Sequence, residues 1–182
     1  DGEQYVLDNE GSSLFIHTNL EAPNNRIVKV DAAAPTPENW VDLIPENEMV
    51  MSASTAGQKI FTTYLEDAKT KVVQFNRMGE QERVVELPGI GTASGFGGRE
   101  EDAELYYTFS SFTTPSSIYK YDITSGTSEL YVRPNLDFNP DDYETKQVFY
   151  KSKDGTDVSM FIVHKKGLKM NGKNPTYLYG YG

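Results

Sequence analysis

The sequence predicts an all-β chain assembled from repeated sheets, on two observations. The first is a period. "LFIHTNL" from Leu14, "IFTTYLE" from Ile60 and "LYYTFSS" from Leu105 begin 46 and 45 residues apart. A second set, "RIVKVD" from Arg26, "KVVQFN" from Lys71 and "SIYKYD" from Ser117, is spaced by 45 and 46. Two independent sets with one spacing are the mark of a repeat architecture. The second observation is texture: each repeat is a series of short apolar runs broken by Gly, Pro, Asn and Asp.

The elements follow in order within each repeat. A first strand precedes each glycine-bearing turn, at Gly11, at Gly57 and at Gly97-Gly98. The next strand, "LFI" or "LYY", is nearly continuous in apolar residues, as a strand buried on both faces should be. Turn-rich stretches follow at "EAPNN", "EDAKT" and "FTTPS". "RIVKVD" and "SIYKYD" then alternate apolar and polar, the pattern of a half-buried strand. The last strands, "NWVDLIP", "RVVELP" and "SELYVRP", each end at a proline, which cannot donate to a ladder. Four short strands per 45 residues is the spacing of a β-propeller blade. A β-sandwich also has many short strands, but nothing in it demands a fixed period. Three blades do not close a ring, so further sheets or a partner are implied.

Composition narrows the function. The 182 residues are 37% hydrophobic and 12% aromatic, enough for a packed core. The formal charge of −10 disfavours nucleic-acid binding, which needs a basic face. Without cysteine, disulfides, thiolate zinc sites and a cysteine nucleophile are excluded. No apolar run reaches membrane-span length and no signal peptide opens the chain. Starting at Asp1 rather than methionine, it reads as a processed or excised chain.

The period breaks in "PNLDFNPDDYE", residues 134–144, which reads as a linker. "TKQVFY" and "VSMFIVHKK" beyond it form a hairpin around Asp154-Gly155, a strong turn signal. A second turn at Asn171-Gly172 leads to "PTYLYGYG", expected as a third strand. The expected domains are blades over 1–137, a linker over 138–144 and the start of a second domain over 145–182, too short to fold alone.

"YETKQVFYKSKDGTDVSMFIVHKKG" followed by "PTYLYGYG" resembles the peptidase-domain start of the prolyl oligopeptidases. "FIHTNLEAPNNRIVKVD" and "LYYTFSSFTTPSSIYKYD" resemble the last three blades of that family's propeller. The resemblance implies a seven-bladed propeller, acting as a size filter, inserted into an α/β-hydrolase. It implies a serine peptidase that cleaves short proline-containing peptides on the carboxyl side of proline, without cofactor, in the cytoplasm or alternatively the periplasm. Carried over, Tyr181 is an oxyanion donor through its phenol, with Gly180 and Gly182 letting the backbone turn sharply. The alternative is that Tyr179 and Tyr181 are sheet aromatics beside a turn.

No G-x-S-x-G elbow occurs, and the family's catalytic serine, aspartate and histidine have no counterpart in the chain. "GIGTASGFGG", with Ser94 out of frame, reads as a strand and turn at a blade junction. His17 and His164 read as structural, and Trp40 as packing between blades. The acidic runs "REEDAE" and "NPDDYE" read as solvated loops, "DNEG" is a poor calcium loop, and no metal is expected. The chain alone is therefore expected to be inactive and to self-associate through exposed strand edges. The other reading is a stand-alone partial propeller that binds a protein or ligand. A binding module is expected to end on a completed blade, whereas this chain continues for 45 residues past residue 137.

Overall fold

The computed structural model describes residues 2–180, which divide into two compact units, 1–135 and 136–182. The first unit holds three antiparallel four-stranded meanders. β1 (Gln4–Glu10), β2 (Ser13–Thr18), β3 (Arg26–Asp31) and β4 (Val41–Ile44) form the first sheet, in that order. β5 (Met51–Ala56), β6 (Lys59–Glu66), β7 (Lys69–Phe75) and β8 (Gln81–Val84) form the second. β9 (Thr92–Ser94), β10 (Glu104–Ser110), β11 (Ser117–Asp122) and β12 (Ser128–Val132) form the third. The all-β architecture expected from the repeat is present.

Local chemistry explains the connections. Gly57 and Gln58 take φ of +56° and +60°, and Asp67 and Ala68 take +51° and +63°. Paired positive φ values mark the tight turn whose twist matches the flanking strands. A Cβ on Gly57 would stand 2.5 Å from the carbonyl oxygen of Asp102, so this turn also needs glycine to seat against the third sheet. In each of these three sheets the register between the last two strands shifts, as at a bulge, between Ile27 and Val28, Gln74 and Phe75, and Ile118 and Tyr119. A bulge increases the local twist of the sheet.

Alternation along the strands assigns each side chain to a neighbouring sheet. Phe15 and Ile27 pack with Met51, Ile60, Tyr64 and Val73 between the first and second sheets. Phe61 and Val72 pack with Leu105, Tyr107, Phe109 and Tyr121 between the second and third. The two periods therefore encode faces as well as strands. In "LFIHT", "IFTTY" and "LYYTF", residues one, three and five point backward along the chain of sheets, and residue two points forward. Phe15, Ile27, Phe61 and Val72 point forward and are 0% exposed. Their counterparts in the third sheet, Tyr106 and Ile118, are 46% and 39% exposed.

Trp40, expected to pack between blades, lies on the face of the first sheet that no sheet of this unit adjoins. It lies with Leu14 against Ile16, Val28 and Val30, on the face of the first sheet turned away from the second. Its indole Nε1 donates to Pro35 O at 3.0 Å and its backbone N–H to Pro37 O at 3.1 Å. The Pro-rich segment thus folds the ring back onto its own sheet.

The second unit contains β13 (Tyr143–Lys151) and β14 (Asp157–Lys165), a hairpin in register from Tyr143↔Lys165 to Lys151↔Asp157. Its turn is closed by the Ser152 N–H on Thr156 O and by Gly155 at φ +87°. The third strand expected over "PTYLYGYG" is not formed in residues 175–180: β13 and β14 pair with each other alone, and Tyr177, Leu178 and Tyr179 are 72–86% exposed. Among the described residues no helix is long and apolar enough to cross a membrane.

Candidate functional site

The residue singled out for chemistry, Tyr181, lies outside the described residues, as does Gly182. The approach to it is described. Thr176 Oγ1 donates to Asn174 O at 3.1 Å, and the rings of Tyr177 and Tyr179 stack with centroids 6.5 Å apart. Gly180 has open space where a Cβ would stand. The segment therefore presents its aromatic side chains and backbone without burying them.

The other chemistry-bearing residues have local partners. His17 Nε2 meets Met51 O at 3.1 Å and its ring stacks on Tyr5 at 4.9 Å, joining the first two sheets. His164 Nδ1 meets Lys165 O at 2.9 Å, with Nε2 3.5 Å from Glu144 Oε1. Each ring is thus oriented by a backbone carbonyl. Ser94 closes the short strand β9 opposite Thr108, and Gly95 follows at φ +98°. Phe96 turns inward and stacks on Tyr107 at 4.6 Å, while its carbonyl accepts from Ser54 Oγ at 2.7 Å. The glycine-rich text is thus a strand and turn at a sheet junction.

The acidic run at 99–104 is paired to arginine and lysine. Asp102 accepts the Arg99 backbone N–H at 2.7 Å and its guanidinium at 3.0 Å, which hold its carboxyl below the usual range. Glu104 lies 3.3 Å from Lys120 Nζ. In "NPDDYE", Asn139 Oδ1 accepts from Asp141 N at 3.1 Å and caps a short 3-10 turn over Pro140–Asp142. Among the described residues, no group of three His, Asp or Glu is placed to hold a metal ion.

Two intersheet joints escaped the sequence. Gln74, 1% exposed, accepts the Tyr121 phenol at 2.6 Å and donates to Ile123 O at 3.2 Å and Glu82 Oε2 at 2.8 Å. Burial pushes the Tyr121 phenol up to about 12. Burial also raises Glu82, but hydrogen bonds from Lys59 and Gln74 outweigh it and hold the carboxyl below its usual value. At the first joint, Arg77 reaches Asp8 Oδ2 and Asn9 O and sits 5.5 Å over the Phe15 ring. It borders an open cleft of about 470 Å³ with Glu10, Lys59, Glu100 and Asp102. The signal for Gln74 was an uncharged residue where the other repeats carry Lys29 and Lys120.

Comparison with known proteins adds to this geometry. Residues 1–134 match the prolyl oligopeptidase N-terminal beta-propeller domain. The prolyl endopeptidase of Elizabethkingia miricola is 47% identical over 97% of this chain and 25% of its own length. That of Elizabethkingia meningoseptica is 45% identical over 100% of this chain and 26% of its own. Among solved structures, a prolyl endopeptidase superposes with a TM-score of 0.78 at 39% identity, over 92% of this chain and 25% of that one. Apo prolyl oligopeptidase B from Galerina marginata does so with 0.81 at 28% identity, over the same shares. The chain spans about a quarter of the length of these relatives.

Proposed function

The chain belongs to the prolyl oligopeptidase family, and on that premise we propose that it forms part of a serine peptidase cleaving short peptides on the carboxyl side of proline. The observation that carries this reading is the reach of the likeness. At 45% identity it runs over the whole chain, past the propeller match and through the Tyr-Gly-Tyr-Gly segment. The three sheets are the last three blades of a seven-bladed propeller, over residues 1–137, and act as a gate. Residues 138–144 are the interdomain linker, and 145–182 are the first strands of an α/β-hydrolase.

In this reading Tyr181 aims its phenol at the oxygen that becomes negative in the tetrahedral intermediate. A fixed donor in a water-excluded site favours that charge over the neutral ground state. The chain supplies no serine elbow, so by itself it does not hydrolyse peptides. The substrate is a proline-containing oligopeptide. One relative, prolyl oligopeptidase B from Galerina marginata, has been solved bound to a 25mer macrocyclization substrate, in keeping with a peptide ligand.

The test is a chimera in which this chain replaces the matching quarter of the Elizabethkingia miricola enzyme. Tyr181→Phe in that chimera should lower kcat about a hundredfold to a thousandfold, the effect of removing one oxyanion donor. KM should stay near its starting value. An unchanged kcat would remove Tyr181 from the chemistry.

A further inference from the structure

We propose that Asn171 is a self-modification site, at which the backbone nitrogen of Gly172 displaces the side-chain amide. The Gly172 N–H gives up its proton as its nitrogen bonds to Cγ of Asn171. The Cγ–Nδ2 bond breaks and ammonia leaves, closing a five-membered succinimide. Water then opens either carbonyl of that ring, giving aspartate or isoaspartate at position 171. No oxidation or reduction occurs, and water is the sole co-reactant.

Three features of the site converge on this step. Asn171 Oδ1 accepts the N–H of Lys173 at 3.0 Å, so the side chain is folded back over the peptide that must attack it, and its carbonyl is polarised by that donor. Gly172 is exposed at φ +73° with nothing within 4 Å of a Cβ position, so no side chain or neighbour obstructs closure. The flanking sequence is cationic: residues 158–180 contain four lysines, Lys165, Lys166, Lys169 and Lys173, and no Asp or Glu, the paired strand adding Glu144 opposite His164. Positive charge nearby favours the anionic nitrogen and the oxyanion formed on attack.

The molecule contains its own controls. Asn47, Asn76 and Asn139 fold back in the same way, accepting from the N–H two residues on at 2.7, 2.9 and 3.1 Å. They are followed by Glu48, Arg77 and Pro140, which bring a Cβ against the attack or lack the N–H altogether. Asn-Gly occurs once in the sequence. Asp154-Gly155 shares the turn but carries a carboxylate held ionised, with its pKa lowered to about 2. An anion does not accept a nucleophile as an amide does.

The purified protein is incubated in mildly alkaline buffer and mapped by peptide mass spectrometry with isoaspartate detection. The peptide carrying Asn171 should gain the amide-to-acid mass increase, with isoaspartate as the major isomer. The peptides of Asn47, Asn76 and Asn139 should stay unchanged over the same interval. Gly172→Ala should abolish the conversion, and circular dichroism should report an unaltered fold. Conversion of all four asparagines at one rate, or an intact Asn171 when a free peptide of the same sequence has converted, would overturn the proposal.

Discussion

Gln74 stands where the first and third repeats carry Lys29 and Lys120, and the difference is the partner each meets. Lys120 ends in water between Glu104 and Glu129. Gln74 points into the third sheet and ends on Tyr121 and Ile123 O. Replacing it with leucine leaves a buried phenol and a buried carbonyl without partners, which costs about 1–3 kcal/mol. Gln74→Leu should therefore lower the unfolding free energy measured in urea by that amount, and Tyr121→Phe by less. The double variant should lose less than the sum, since both substitutions remove one shared bond. Strict additivity would deny the joint. The polar residue was legible in the sequence and its burial was not, because burial is decided by a sheet 47 residues away. Tyr181 is the reverse case: the role proposed for it comes from a motif alone.

At the level of single elements, the hairpin between β6 and β7 turns through Asp67 and Ala68 with both φ values positive. For an L-residue with a Cβ, the left-handed region costs about 1–2 kcal/mol. Ala68→Gly should recover about 1 kcal/mol after the extra chain entropy of glycine is subtracted. In a domain of this size, that raises the melting temperature by about 2–4 °C. A lower melting temperature would mean that the turn is not the type the backbone describes. Most strands could be read from the period, since burial on alternating faces writes itself into alternating residues. Two could not be bounded that way. β8 is bounded at Val84, although the Val85 N–H still donates to Val72 O at 2.9 Å and its side chain packs in the core between the second and third sheets. The strand expected over 175–180 is the other: its residues suit a sheet, but strand propensity is context-dependent and residues 175–180 pair with no strand.

For the whole molecule, the repeat makes a statement about surfaces. The forward face of the first two sheets is sealed and that of the third is open at Tyr106 and Ile118. Leu130, Tyr131 and Val132 on β12 add further exposed apolar area to the same sheet. Exposed apolar patches and unpaired edges favour association. The 182-residue chain should accordingly sediment as larger species as its concentration rises, and Ile118→Lys should shift it toward the monomer. A wild-type chain that stays monomeric throughout would count against an open face. Period and family likeness together made the propeller legible, because blades repeat the same burial pattern. The number of sheets in the whole propeller is not written into any one repeat.

The most direct measurement is the hydrolysis of a Gly-Pro reporter by the 182-residue chain alone and by the chimera carrying it in the Elizabethkingia miricola enzyme. The chain alone should be inert and the chimera should cleave after proline. Turnover by the isolated chain, or a folded chimera without activity, would contradict the assignment of this chain to the gate and first hydrolase strands of a prolyl peptidase.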